Sequence, residues 1–270
     1  MEHAAYPARI RRCVEGGGAV NFLMKRKLIS LCLLPLLAFG HWAMDFDEDW
    51  AAGGAAFQDV LDGLVGWWKM DEESWDGTAD EVVDSSGKGN NGTAAGGAIT
   101  AEGKINRAGL FNGTTSHIDA GNGSSLDATS GITITAWAKP YSVSDVKVAS
   151  KDDVKSGRSW GAGIYMGRMI FEIFASGGYS VVQICGSAIV TNEWVFVTYM
   201  FDGTNCSTYI NGSFNSSTPA SGTITVSASK VFVGARGDNQ LFFDGLIDDL
   251  RIYNRALSSN EVSTIYNRFK

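Results

Sequence analysis

From Leu64 onward, short apolar runs recur about every 8–12 residues and are separated by Gly, Asn, Asp and Ser. No other feature of the chain narrows its fold so far, because that spacing is the signature of a β-sandwich or barrel. Ile132-Thr133-Ile134-Thr135-Ala136-Trp137 alternates strictly, so Ile132, Ile134 and Ala136 share one face. Val195, Val197 and Tyr199 repeat the pattern within 194–201. Further candidate strands are 65–70, 108–111, 116–120, 146–151, 161–166, 169–175, 179–185, 206–211, 222–227, 230–234 and 247–253. Glycine contributes 33 residues and proline 4. That surplus excludes a helical bundle, where each glycine costs about 1 kcal/mol. The lack of a three-residue period excludes collagen. The reading is an all-β fold: two antiparallel sheets packed face to face as a sandwich.

One helix is expected, at the C-terminus. Ser258 and Glu261 stand at capping-box spacing, and Leu257 and Val262 flank them as a hydrophobic staple. Val262, Ile265 and Tyr266 then form a one-sided apolar stripe that would cover the sandwich. Six Asn-X-Ser/Thr sequons occur, at Asn91, Asn112, Asn122, Asn205, Asn211 and Asn215. Four of these are Asn-Gly pairs, which tight hairpin turns favour because both residues tolerate positive φ.

The N-terminal region reads differently. Residues 1–23 are expected to be an upstream extension, followed by Met24, the basic cluster Lys25-Arg26-Lys27 and an apolar run from Leu28 to Phe39. Small residues at Ala38 and Gly40 complete the three-part order of a secretory signal peptide over 24–40. No run reaches the 18 or so apolar residues of a membrane span. Residues 41–62, acidic and without periodicity, read as a tether to a domain over 63–270. The expected location is therefore secreted, periplasmic or cell-surface. Without residues 1–40 the chain carries 16 basic and 27 acidic residues, a balance of −11. That argues against a nucleic-acid partner, which needs clustered Lys and Arg. Cys185 and Cys206 would remain in an oxidising compartment. Their strand positions place them at opposite ends of a sheet, beyond the roughly 7 Å reach of a disulfide, so they are not expected to pair.

Catalytic apparatus is hard to assemble from this chain. Only His117 of the three histidines lies inside the domain, so neither a Ser-His-Asp relay nor a zinc site is evident. A glycosidase would need two carboxylates about 5–10 Å apart. No strand reads Glu-apolar-Asp-apolar-apolar-Glu, and Glu81-Val82-Val83-Asp84 runs straight into a turn. The expectation is a protein that is not an enzyme.

Three stretches together resemble the laminin-G-like jelly roll of the concanavalin A-like lectin/glucanase superfamily. The first is Leu64-Val65-Gly66-Trp67-Trp68-Lys69-Met70-Asp71-Glu72 with the turn 84–93. The second is 109–114 with Ser125-Leu126-Asp127 and 132–140. The third is 194–199 with Tyr209-Ile210-Asn211-Gly212 and the closing run 245–257, whose ending with a capped helix is also similar to pentraxins. The resemblance implies a jelly-roll sandwich and a non-catalytic, exported module that binds carbohydrate. A protein-interaction or structural domain is the alternative, and a degenerate glycosidase the third reading.

Candidate ligand residues follow. Asp238, Asn239 and Gln240 occupy the loop where pentraxins place ligand-contacting calcium, and their oxygens suit that ion. Trp160 and Tyr165 are the aromatics nearest a loop, although an aromatic in a strand is more often core. Arg236-Gly237-Asp238 spells an integrin tripeptide, which turn composition explains by chance. In the closing strand, simple alternation puts Asp248 on one face with Leu250 and Ile252, where a buried carboxylate needs compensation. The resemblance suggests a structural calcium between Asp71 and Asp248, with backbone carbonyls of 84–93 as further oxygens. Capping of backbone amides by Asp248 is the competing expectation.

Overall fold

A computed structural model describes residues 60–175, 179–184 and 186–270, with backbone alone for 179–184 and 269. The strands in chain order are β1 (Leu64–Trp68), β2 (Thr93–Ala95), β3 (Ile99–Glu102), β4 (Arg107–Asn112), β5 (His117–Asp119), β6 (Ile132–Pro140), β7 (Val146–Asp153) and β8 (Gly157–Tyr165). They continue with β9 (Arg168–Ala175), β10 (Tyr179–Ile184), β11 (Val195–Phe201), β12 (Asn205–Ile210), β13 (Ser213–Pro219), β14 (Phe232–Val233) and β15 (Asp244–Tyr253), before helix α1 (Ser259–Phe269). One sheet runs β13-β12-β11-β6-β15-β4-β3, with β1 also paired to β15; the other runs β10-β9-β8-β7-β14-β5-β2. Every strand pairing between them is antiparallel. The expected two-sheet jelly-roll sandwich with one C-terminal helix is what forms.

Alternation decides which residues meet between the sheets. Ile132, Ile134 and Ala136 of β6, with Tyr199 beside them in β11, face Trp160 and Phe171 of the other sheet in one buried core. The intervening residues of the same strands are also buried, in a second cluster. Trp137, Phe196 and Tyr253 pack there with Leu257, Val262 and Ile265. Helix α1 is the cover. Its Tyr266 ring lies 5.7 Å from Trp137 and 5.9 Å from Phe196. Burying each such side chain contributes about 1.5–3 kcal/mol, so the helix is integral to this sheet. The expected capping box closes its start: Ser258 donates its backbone N–H to Glu261 (2.6 Å) and accepts from the Glu261 N–H (3.2 Å).

Several expectations change. Residues 222–227 form no strand, because Ile224 makes only a single bridge, to Ala175. The run 230–234 contributes just the two residues of β14. Strand β13 escapes a hydrophobic search because its residues, Ser213–Pro219, lie at a sheet edge, mostly half-buried or exposed. Of the Asn-Gly pairs, Asn211-Gly212 makes the two-residue hairpin, with φ of +50° and +73° between β12 and β13. Asn112 instead caps its own loop, its side-chain oxygen accepting from the N–H groups of Thr114, Thr115 and Ser116. The folded part also begins before residue 63: Val60 is buried and Leu61 packs with it in the second cluster. The proposed leader, upstream extension and most of the tether lie outside the described residues. Cys185 does too, whereas Cys206 is buried, which pushes its thiol up to about 12. Among the described residues, no helix is long and apolar enough to cross a membrane.

Candidate functional site

Three backbone hydrogen bonds assemble a groove from segments far apart in sequence. Lys147 N–H donates to Leu241 O (2.9 Å), Tyr141 N–H to Asp244 O (2.7 Å) and Gly113 N–H to Phe243 O (2.9 Å). The segment 241–244 therefore has residues 141–147, the loop into β7 and its first two residues, on one flank and the 113–114 turn on another. Between them lies a groove of ≈ 440 Å³, within the usual range for ligand sites. Its polar lining is Thr114, Ser144, Asp145, Asn239 and Gln240, all exposed, above an apolar portion formed by Val146, Leu241 and Phe242. Asn239 and Leu241 both adopt left-handed φ, +58° and +55°. For a branched residue such as Leu241 that conformation is strained, and such strain concentrates at binding loops.

Behind the groove the charges are paired. Lys147 and Glu172 form a buried ion pair at 2.6 Å. It lies flat over β8 because Gly161 leaves room: a Cβ there would stand 3.1 Å from Glu172 Oε2 and 3.4 Å from Lys147 Cε. Arg236 holds Asp238 with two bonds, Nε to Oδ1 at 2.7 Å and Nη2 to Oδ2 at 2.8 Å. Of the three loop residues expected to contact ligand, Asn239 and Gln240 thus line the groove. Asp238 is drawn away by Arg236, which also ties the two ends of the Arg-Gly-Asp tripeptide to each other. Asp145, Ser144 and Thr114 were not evident from sequence, since no local pattern links positions separated by so much chain. His117, the domain's one histidine, packs instead at a tilt against Phe232 and Phe242, with ring centroids 5.5 and 6.3 Å apart.

Trp160 is fully buried in the core between the sheets, so it offers no platform to a ligand. Its alternation in β8, shared with Ala162 and Ile164, points it inward.

A second cavity, of ≈ 240 Å³, brings Asp71 and Asp248 together with Asn106, Trp67, Lys69 and Arg268. Here the closing strand departs from simple alternation. Its pairing with β6 slips between Asp248 and Arg251, and Asp249 takes a φ of +51°. Such a bulge places two residues opposite one and shifts the face that follows. Ile247, Leu250 and Ile252 all enter the core, whereas Asp248 pairs with Trp137 on the outer side and does not share their face. Asp248 is nevertheless buried, beneath the turn 103–107. Ile105 N–H donates to its Oδ2 at 2.8 Å, while Oδ1 has no hydrogen-bond partner. The same turn reaches Asp71 through Arg107 N–H (3.2 Å) and Asn106 Nδ2 (3.3 Å). Gly103 permits this approach, since a Cβ there would come within 2.8 Å of Asp248 Oδ2. Burial, with the like charges of Asp249 and Asp71 adding to it, raises Asp248 to about 8. Asp249 is separately paired, to Trp67 Nε1 (2.6 Å) and Arg251 Nη2 (2.7 Å).

Residues 84–93 line no part of this cavity. Their turn closes on itself around Asp84, which accepts from Trp67, Ser86 and Asn90 backbone N–H groups. Among the described residues no three Asp, Glu, His or Cys side chains gather as a metal set. A cation at Asp71 and Asp248 would therefore need its other oxygens from amide, backbone or solvent.

Residues 112–263, more than half of the chain, match the family model Laminin_G_3, described as the concanavalin A-like lectin/glucanases superfamily. No curated protein matches the sequence. Among solved structures, the binding domain of Paraclostridial Mosquitocidal Protein 1 is similar with a TM-score of 0.64 at 21% identity, over 78% of this chain and 53% of that one. Domain 4 of AbnA, an extracellular GH43 arabinanase from Geobacillus stearothermophilus solved with arabinotriose, gives 0.58 at 23%, over 75% and 98%. A botulinum neurotoxin type C structure, whose cell entry depends on two ganglioside molecules, gives 0.61 at 14%, over 79% and 53%. The chain spans about half the length of these toxin chains. At such identities the likeness is one of fold.

Proposed function

Because the chain belongs to the Laminin_G_3 family of the concanavalin A-like lectin/glucanases superfamily, we propose that it is an exported, non-catalytic module that binds glycan in the 239–242 groove. The observation that carries this is the lining: two amides, two hydroxyls and a carboxylate around an apolar floor. Sugars present hydroxyls at their edges and C–H groups on their faces, and this groove offers partners for both. Fold alone would not choose a ligand, since sites are grafted onto folds. The arabinotriose of one similar structure agrees with the glycan class without fixing the sugar. One carboxylate lines the groove among the described residues, where glycoside hydrolysis uses two.

A glycan array probed with the purified protein tests the reading. At least one glycan should bind, and the exposed double change Asn239→Gly with Gln240→Ala should remove that signal without moving the melting temperature, because glycine keeps the left-handed backbone of position 239. Full binding by the double variant would place the site elsewhere, and silence across the array would remove the glycan reading. Export rests on the signal-like order of residues 24–40. N-terminal sequencing of protein from medium, periplasm or cell surface should begin between about residues 39 and 44. An intact residue 1–40 segment on cytosolic protein would contradict it.

A cation at the Asp71–Asp248 cavity is a further part of the proposal. Two carboxylates lining one cavity, that of Asp248 with an unpaired buried oxygen, suit a hard divalent ion such as calcium. A protein-contact reading has one observation in its favour. Tyr141, Met166 and Val190 are 41%, 75% and 56% exposed, on segments joined by the bonds Gly167 N–Val143 O and Ile189 N–Gly167 O.

A further inference from the structure

Resting on the glycan reading, we infer that the groove selects neutral, hydroxyl-rich glycans and rejects those carrying carboxylate, sulfate or sialic acid. The argument is one of charge. Asp145 is the single charged side chain in the groove's described lining, and it is exposed. An anionic sugar seated there would need a cation to meet it, ideally a forked guanidinium or an ammonium. The two cations whose charge reaches Asp145, Lys147 and Arg236, are already committed. Lys147 is held at 2.6 Å by Glu172, with only 1% and 7% of the two side chains exposed. Arg236 is bound twice by Asp238, with 13% and 10% of their side chains exposed. Withdrawing either to serve a ligand would strand a carboxylate with little access to water, at a cost that a surface contact does not return.

The long-range field points the same way. Residues 60–270 carry 16 basic and 22 acidic side chains, a balance of −6, which repels an approaching anion. A neutral sugar meets no such opposition. Its hydroxyls can donate to Asp145 and to the amide oxygens of Asn239 and Gln240, and accept from the hydroxyls of Thr114 and Ser144. A hydrogen bond to an ionised acceptor is stronger than one between neutral groups, so Asp145 serves as the anchoring acceptor.

The test uses matched pairs of glycans on the purified full-length protein. Suitable pairs are galacto-oligosaccharide against its sialylated form, neutral against sulfated galactan, and gluco-oligosaccharide against its uronate counterpart. The neutral member of a bound pair should bind about tenfold more tightly at low salt, a difference of ~1.4 kcal/mol. The gap should narrow as salt is added. Asp145→Asn should shrink the gap, and Asp145→Lys should reverse it, with the melting temperature of each variant as a control on folding. Equal or tighter binding of anionic members by the wild type would overturn the selectivity while leaving a glycan-binding site. Binding of neither member of any pair would overturn the glycan reading beneath it, and this inference with it.

Discussion

Asp248 has one oxygen bonded to Ile105 N–H and another with no partner, inside a side chain of 0% exposure. Its carboxyl is raised to about 8 by burial and by its acidic neighbours, against about 3.9 in an unfolded chain. Between those values the folded protein keeps a proton that the unfolded chain has released. Stability from this group is therefore present at low pH and declines as pH climbs from about 4 to 8. Without divalent cation, Asp248→Asn should flatten that decline and raise stability at pH 8 by about 2 kcal/mol, because no buried charge remains. With calcium the order should invert: wild type gains melting temperature by mass action and the variant does not. Identical wild-type curves with calcium and with chelator, after metal stripping, would leave Asp248 to the amides of its turn. Asp248 was legible in sequence as a buried acid near Asp71, but its face was not. The left-handed Asp249 that shifts the strand has no signature in the run Ile247-Asp248-Asp249-Leu250. Asp238 is likewise paired with Arg236 and does not line the groove, a contact that no sequence pattern marks. The burial of Trp160 could be anticipated from its strand alone.

Elements were easier to read than residues. Strands β6 and β11, buried on both faces, are marked in the sequence by apolar character or strict alternation. Short or edge strands leave weaker marks: β2 has three residues, and β13 is largely serine and threonine. Their pairing comes from the ladder beside them and not from their own composition. The helix was legible to its first residue because capping is local chemistry. Ser258→Ala should lower unfolding free energy by about 1 kcal/mol in a urea titration. A midpoint unchanged from wild type would mean that packing of Val262 and Ile265 alone fixes the helix start.

At the scale of the molecule, periodicity and turn chemistry report on neighbours in sequence, whereas a site reports on neighbours in space. The sandwich follows from the first kind of information. The groove belongs to the second: Thr114, Asp145 and Asn239 meet only because Gly113, Tyr141 and Lys147 bond the same short segment, 241–244. Asn239 and Gln240 could be found beforehand through the resemblance to pentraxins, and the rest of the lining could not. The central claim is that sugar binds in this groove, and amide chemical-shift mapping tests it most directly. With isotope-labelled protein and the strongest glycan from the array, the largest shifts should fall on Thr114, Ser144, Asp145, Asn239, Gln240 and Phe242. Shifts centred instead on Trp67, Asp71 and Asn106, or spread without a focus, would contradict the account.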